Sequence, residues 1–501
     1  MRAQSPCPAK AGPGGIAAAP APALPPRPAS RRGRKARALL SGAALGLALA
    51  LALPAPGIRA EAAEAAQQEL FELTPVQMRA LAAKRLARGD VGMARALAQA
   101  LLRRDPRDFS ALLLLSQSER ALGQGDAAQA AAARAWDQAE TPEERYAAAM
   151  VRAQALASDG HRTRAQLWLR RASEEAPDRA TRARAIRDFK YVRLRNPWST
   201  QLSFSVAPTD NVNNGSARDS FTIDGLPFEF ILSGAAQALS GVELRFGVDS
   251  RYRLAETPRR ATDLLLHFDH ASYRLSGEAK EAAPGVEGRD FATSSLSAGL
   301  SRRIMFNDKA NELVLTGRAG QNWYGGDPYG HFLRGEARLS HTLNARNRLT
   351  GGVTLEARRG DGAPEADVGL MSLSWDHAWT GGQMSLYGVA TRSVSDVMSA
   401  DYRDLRLGAR IAPKMDWLDG ALGADPAFTL EARARDFDAS PYTFDGRRDE
   451  ELMAGVEVVF RDVDYYGFSP VLTVESAVTS SNVALHESAR TGLELSIRSA
   501  F

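Results

Sequence analysis

Beyond Asn196-Pro197 the chain keeps a period of two almost to its end, and that pattern limits what it can fold into more than anything else in it. Val242, Leu244, Phe246, Val248 and Tyr252 alternate with Glu243, Arg245, Asp249, Arg251 and Arg253. Phe428, Leu430, Ala432 and Ala434 alternate with Thr429, Glu431, Arg433 and Arg435. The same holds around Leu333–Leu339, Leu349–Ala357 and Leu452–Phe460. A period of two is the signature of β-strands with one apolar and one polar face. No apolar run in this region is long enough for a membrane-spanning helix.

A soluble sandwich alternates too, but it turns its apolar faces toward each other. A membrane barrel turns the apolar face to lipid and the charged face to a wet lumen. Aromatic residues recur near the strand ends, as the girdles of a barrel require: Trp198, Tyr252, Tyr273, Trp323, Tyr324, Trp375, Trp379, Tyr402, Tyr465 and Tyr466. Strands are expected to begin near residues 199, 241, 262, 291, 311, 329, 347, 367, 382, 402, 427, 449, 468 and 488. That makes fourteen, and bacterial single-chain barrels have even counts. Two segments stay outside the count. Phe221 to Leu232 reads as a loop, a plug or an extra strand, and residues 412–424 read as a loop. The last strand places Leu493, Leu495 and Ile497 on one face and ends at Phe501. It resembles the terminal signal read by the outer-membrane barrel assembly machinery.

Residues 70–196 have a different texture, rich in Ala, Leu, Arg and Glu, which are good helix formers. Gly89, Gly125 and Gly160 recur at spacings of 36 and 35, and so do Pro106, Pro142 and Pro177. The glycines are placed to turn between paired helices, and the prolines to stop them. Ala96 and Ala132 each lie seven positions after a turn glycine, whereas the third repeat has Leu167 there. The period is close to the 34 of tetratricopeptide repeats, and stacks of such repeats present a concave binding surface. A plain helical spacer is the simpler alternative. The basic run from Arg179 to Arg195 reads first as a solvated helix face, and second as a surface for anionic head groups or an acidic client.

The chain is an α + β protein of two expected domains behind an export segment: a signal segment at 1–62, a helical repeat domain at 70–196 and a transmembrane antiparallel barrel at 197–501. The signal has a basic stretch from Arg31 to Arg37, an apolar core over residues 38–53 and an Ala60-Glu61-Ala62 cleavage pattern. Residues 1–60 hold nine basic side chains and no acid, so the rest carries 54 Lys and Arg against 59 Asp and Glu. The apparent basicity therefore leaves with the signal, and a nucleic-acid partner is not expected. The single cysteine, Cys7, lies ahead of the apolar core, so the exported chain has no disulfide, thiolate ligand or cysteine nucleophile.

Nothing marks an enzyme. No metalloprotease helix, nucleophile elbow or phosphate loop occurs among the 501 residues. His267 and His270 are three apart in a strand and so point to opposite faces. No cofactor, catalytic residue or metal site is expected.

Two further stretches carry a family likeness. Asp210-Asn211-Val212-Asn213 follows the first strand, and Gly467-Phe468-Ser469-Pro470 with Ser481-Asn482 lies in the closing hairpin. With the order of signal, repeats and barrel, they resemble the surface lipoprotein assembly modulators, the Slam family of secretion barrels. The resemblance implies an outer-membrane translocator whose repeats face the periplasm. It would move a client surface lipoprotein, or a secreted haemophore-like protein, to the cell surface, with the barrel assembly machinery and outer-membrane lipid as further partners. The competing readings are an exopolysaccharide exporter and a porin for small solutes. The first calls for aromatic platforms in the lumen, and the second leaves the repeats without a purpose.

Overall fold

The computed structural model describes residues 73–499 except Ser233, Asp308, Lys309 and Asp361. The signal segment, Cys7 and Phe501 lie outside the described residues.

Seven helices come first: α1 (Pro75–Ala87), α2 (Val91–Arg104), α3 (Phe109–Ala121), α4 (Gly125–Asp137), α5 (Pro142–Ser158), α6 (Arg162–Glu174) and α7 (Arg179–Arg195). Local chemistry fixes where they start. Thr74 and Thr141 cap α1 and α5 in capping boxes with Gln77 and Glu144, and Pro75 and Pro142 occupy the first turn, where no backbone donor is needed. Asp90, Asp108 and Asp178 each accept a backbone N–H at the start of their helices.

The helices pair as expected, but the register of the second repeat differs from the glycine spacing. Gly125 is the first residue of α4, and the left-handed turn residue is Gly123 (φ +76°), which matches Gly89 and Gly160 (both +84°). The residues that precede the second helices are therefore Asp90, Gln124 and His161, spaced 34 and 37 apart. Counting four on from each gives Ala94, Ala128 and Ala165, all fully buried. Counting eight on gives Ala98, Ala132 and Leu169, also buried. Ala96, matched to Ala132 by the glycine count, is exposed. Small residues at these contacts let the helix axes approach closely. The larger core lies at the C-terminal end of the stack, where Met150, Leu156, Leu169, Phe189 and Val192 pack together.

The strands are β1 (Trp198–Thr209), β2 (Ser220–Thr222), β3 (Glu229–Ile231), β4 (Gly241–Thr257), β5 (Arg260–Leu275), β6 (Thr293–Phe306), β7 (Asn311–Tyr324) and β8 (Asp327–Asn344). There follow β9 (Asn347–Arg359), β10 (Ala366–Trp379), β11 (Gly382–Val394), β12 (Tyr402–Pro413), β13 (Ala424–Phe437), β14 (Arg447–Phe460), β15 (Phe468–Ser481) and β16 (Ser488–Ser499). Fourteen of them, β1 and β4 through β16, form one closed antiparallel barrel in which β1 meets β16. The apolar stretch near Phe221 is not a barrel strand: β2 and β3 form a separate two-stranded hairpin. Two short helices interrupt loops, α8 (Gly277–Ala282) and α9 (Asp416–Leu422), so the 412–424 loop is partly helical.

The burial pattern gives the barrel its solvent. Outward-facing Leu333, Leu355, Met371, Leu407, Leu430, Leu452 and Leu495 are all more than half exposed. Soluble proteins rarely expose a continuous apolar belt, because each side chain loses the free energy of burial. A fourteen-residue strand such as β14 rises about 48 Å and leans about 40° in a barrel, which spans a bilayer's apolar band of about 25 Å.

Connections differ between the two ends. At the end that carries the helices, here the near end, β4–β5, β8–β9 and β10–β11 are each joined by two residues. At the far end the loops are longer, above all residues 210–240 and 276–292. The exceptions are β7–β8 at the far end, which turns on Gly325 (φ +60°) and Gly326 (φ +94°), a left-handed pair that suits a two-residue hairpin, and residues 414–423 and 461–467 at the near end, which make longer connections.

Candidate functional site

The polar face of the alternation lines the lumen with arginine–carboxylate clusters. Glu356 lies between Arg334 and Arg358. Asp404 lies between Arg433 and Arg435. Glu457 receives Arg410 and Arg498 at 2.8 Å each. Glu431 accepts the Tyr387 hydroxyl at 2.9 Å and faces Arg406 at 3.3 Å. Tyr387 lies against Gly408, where a Cβ would come within 2.1 Å of the ring, so this position on β12 must stay small. Each carboxylate holds one or two guanidinium groups from its own strand or from strands one or two places away, so the wall is charged and stiff, with arginine in local excess. Such a lining hydrates well.

The first long far-end loop folds back as a cap. Asn211 is buried, and its side chain receives the Gly215 N–H at 2.8 Å and donates to the Gly215 carbonyl at 3.0 Å. Asn213 donates to the carbonyls of Gln237 (2.7 Å) and Ala235 (3.1 Å) and accepts the Leu239 N–H at 2.9 Å. Asn214 (φ +48°) takes the left-handed turn that asparagine tolerates. Val212 packs with Leu239, Leu275, Ala279 and Ala283, tying this loop to the one that holds α8.

The cap also reaches the last hairpin. Asp210 accepts the Thr491 N–H at 2.9 Å on one oxygen and 3.0 Å on the other. Ser216 donates to Ala484 at 3.1 Å, Ala217 donates to Glu487 at 2.8 Å, and Arg218 pairs with Glu487. Ser481 donates to Asp449 at 2.7 Å, while Asn482 accepts the Arg448 N–H at 2.7 Å and donates to Gly446 at 3.0 Å. The Tyr442 ring meets Phe221 and His486 edge-on. Burial, with Arg447 beside it, pushes the His486 imidazole down to about 4.

The near end is where the helices meet the barrel. Arg170 of α6 donates to the carbonyls of Tyr466 (2.9 Å) and Gly467 (2.8 Å) and to the Ser499 hydroxyl (2.8 Å). Its guanidinium also stacks between the rings of Phe189 (4.8 Å) and Phe468 (4.3 Å). Burial pushes this guanidinium down to about 10, so it stays charged at neutral pH. Arg182 of α7 pairs with Asp464 at 3.0 Å, and Glu174 accepts the Tyr466 N–H at 3.1 Å. Tyr466 (φ +52°) is held in the left-handed region, which turns its carbonyl to Arg170.

The singled-out residues therefore divide between the two ends. Asp210, Asn211, Val212 and Asn213 join Ser481 and Asn482 at the far end, on either side of the junction of β1 with β16. Gly467, Phe468 and Pro470 lie at the near end against α6. Leu493, Leu495 and Ile497 face outward on β16. Arg170, Glu174, Ser216 and Glu487 were not foreseen, and Arg182, read as part of a solvated basic face, pairs with Asp464. In a chain rich in arginine nothing local marks Arg170. His267 contacts Asp249 and His270 contacts Ser294, each on a separate partner. Among the described residues no group of three or more His, Cys, Asp or Glu is placed to hold a metal ion.

The surface lipoprotein assembly modifier family model matches residues 198–501. No curated protein matches the chain. Among solved structures, the type III secretion translocator chaperone SycD of Yersinia enterocolitica is 21% identical and covers 25% of this chain and 88% of its own, with a TM-score of 0.22. A BenF-like porin from Pseudomonas fluorescens is 7% identical and covers 60% of this chain and 98% of its own, with a TM-score of 0.34. A bacterial polysaccharide outer membrane secretin is 9% identical and covers 59% of this chain and 98% of its own, with a TM-score of 0.31.

Proposed function

Because this chain belongs to the surface lipoprotein assembly modifier family, we propose that it is the outer-membrane translocator that moves a client surface lipoprotein, or a secreted haemophore-like protein, from periplasm to cell surface. The observation that carries the reading is the family match along the whole barrel. Three two-residue turns at the near end and the longest loops, residues 210–240 and 276–292, at the far end support an orientation with the near end, and so the helical repeats, in the periplasm.

The parts suit a protein cargo. The repeat stack offers a surface to a partly unfolded chain. Phe332, Tyr402 and Phe437 on the lumen face each lie under an arginine rather than standing as free platforms for sugar rings, which disfavours the exporter reading. No nucleotide is available in the periplasm, so direction comes from client folding on the outside. The outward row Leu493, Leu495 and Ile497, with Phe501 in the sequence, would serve the barrel assembly machinery as its recognition strand.

The exposed side of α7 adds a contact with lipid. Arg184, Arg187, Lys190, Tyr191 and Leu194 are exposed at helical spacing, directly before β1 enters the apolar belt. Basic residues with Tyr and Leu suit the head-group layer of the inner leaflet.

Deleting the gene and treating intact cells with protease tests the reading. A lipoprotein or secreted protein should lose its surface exposure and regain it when the full chain is returned. An unchanged surface proteome overturns the reading.

A further inference from the structure

The lipid-facing wall is hollowed across β6 to β9. In one row Leu300 of β6 pairs with Gly317 of β7, Gly317 with Gly335 of β8, and Gly335 with Leu355 of β9. These positions share the outward face, where Leu300 and Leu355 are more than half exposed. In the next row toward the near end, Ala337 lies between Leu315 and Val353. The result is a groove of about 600 Å³ with Gly317, Gly335 and Ala337 as its floor. Two glycines side by side make a trough two strands wide, about 10 Å.

The fold itself requires neither glycine. A Cβ on either would enter open space, neither takes a positive φ, and the ladders run without a bulge at these positions. Glycine inside a strand weakens it, and where no bulge or bend calls for it, it marks the close approach of something else.

One end of the groove carries a charge. Arg302 lines it together with Thr262. Arg302 pairs with Thr262 and Leu315, and so faces lipid, four residues before the near end of β6. For a strand leaning 40° that is about 10 Å along the membrane normal. Ile304 and Phe306 lie nearer that end on the same face. Arg260 of β5 pairs with Ile304, one diagonal step from Arg302. Both arginines are exposed, and neither pairs with a carboxylate among the described residues. Arg302 donates to the Thr262 hydroxyl at 2.7 Å. By contrast Arg392 and Arg448, which face outward at the far end, hold Asp401 and Asp436 at 2.8 Å each. A guanidinium group on the lipid face is destabilising unless an anion meets it.

We propose that this groove binds an anionic glycerophospholipid, with an acyl chain on the Gly317–Gly335 floor and the phosphate on Arg302 and Arg260. Diagonal neighbours on adjacent strands stand roughly 7–8 Å apart, so two arginine side chains can meet on one phosphate. The acyl chain gains van der Waals contact with the backbone beneath it and with Leu300 and Leu355 at its sides. Charge selects the occupant. A phosphate diester of net negative charge satisfies both arginines, whereas the uncharged acylated end of a lipoprotein satisfies neither. In the orientation proposed above, the near end meets the phospholipid leaflet. The site does not rest on the translocator reading.

The test uses the full chain in nanodiscs of phosphatidylcholine, with Cys7→Ser so that each variant carries one label. Bimane on Met371→Cys sits one strand past Val353, beside the groove. Bimane on Leu407→Cys sits on β12, away from it. The quenchers are traces of phosphatidylglycerol or phosphatidylcholine with a nitroxide on the acyl chain. At Met371 phosphatidylglycerol should quench about threefold more than phosphatidylcholine, and at Leu407 the two should be equal. Arg260→Gln with Arg302→Gln should abolish the difference. Gly317→Leu with Gly335→Leu, which fills the trough and leaves both charges, should abolish it as well. Heat-modifiable gel mobility shows that each barrel is closed. Equal quenching by the two lipids at Met371 in the wild type overturns the site. A difference that survives the filled trough reduces it to attraction by two surface charges and overturns the groove. An uncharged diacylated lipopeptide should not displace the labelled phosphatidylglycerol. Displacement at equal mole fraction would give the groove to the lipidated end of a client and overturn the assignment.

Discussion

The Arg170 guanidinium donates to the Tyr466 carbonyl at 2.9 Å, across 296 residues of sequence, and so ties the repeat stack to the turn before the last hairpin. Two carbonyls, a hydroxyl and two aromatic rings share one planar cation. Charged hydrogen bonds of this kind are worth about 1.5–3 kcal/mol each, so Arg170→Ala should cost docking on the order of 2–3 kcal/mol. Arg170→Lys should recover little, because an ammonium group cannot stack or fork in the same plane. Limited proteolysis of the variant in proteoliposomes should cut near Asn196-Pro197, while heat-modifiable gel mobility shows the barrel intact. Resistance equal to the wild type would mean that Arg182–Asp464 and Glu174–Tyr466 suffice.

Asp404 is almost fully buried between Arg433 and Arg435. Removing the carboxylate leaves two like-charged guanidinium groups side by side on one face of β13, which is more damaging than the loss of one ion pair. Asp404→Ala should lower the thermal midpoint of the barrel by several degrees, the equivalent of roughly 3 kcal/mol, and Asp404→Ala with Arg433→Ala should recover part of it. The outward face answers to a different rule. Leu495→Arg should cost about 2–4 kcal/mol near the bilayer midplane, but nothing comparable in a soluble sheet. Unfolding in urea, followed by tryptophan fluorescence, measures both.

The far-end cap should loosen in acid. His486 is held neutral, down at about 4, by burial and by Arg447, with Asp449 opposing and the Tyr442 ring edge-on to it. The unfolded group takes up its proton near 6.5. Between those values the open loop binds more protons than the closed one. The stabilisation is therefore complete above about 6.5 and falls away as the pH drops toward 4. Hydrogen exchange of residues 482–487 should quicken from pH 7 to pH 4.5, after correction for intrinsic rates, and His486→Phe should flatten that dependence.

The barrel was legible in the sequence because strands that sit between lipid and water must alternate, and all fourteen begin within three residues of where the alternation predicts. The second repeat was misplaced for a local reason. Gly123 and Gly125 are both near the turn, and only the backbone angle shows which one makes it. The β2–β3 hairpin could not be told from a barrel strand, since its residues are as apolar as those that face lipid. The docking of Arg170 was hidden because it is one arginine among many until its partners arrive from the far end of the sequence.

The stripe on α7 predicts where that helix sits. Tyr191 and Leu194 are 57% and 73% exposed, on a surface with Arg187 and Lys190, immediately before Trp198 of β1. In water such apolar exposure gains nothing. Beside a membrane the tyrosine and leucine bury in the head-group boundary, and each nearby cation adds about 1 kcal/mol against anionic lipid. Leu194→Cys carrying an environment-sensitive dye should shift to the blue in proteoliposomes rich in phosphatidylglycerol, and be quenched by lipid-borne nitroxides. Ala96→Cys, exposed on α2, should show neither effect. Replacing Arg187 and Lys190 with serine should reduce the shift, and added salt should reduce it further. If the two labels behave alike, α7 stands in water and its basic face must serve the client instead.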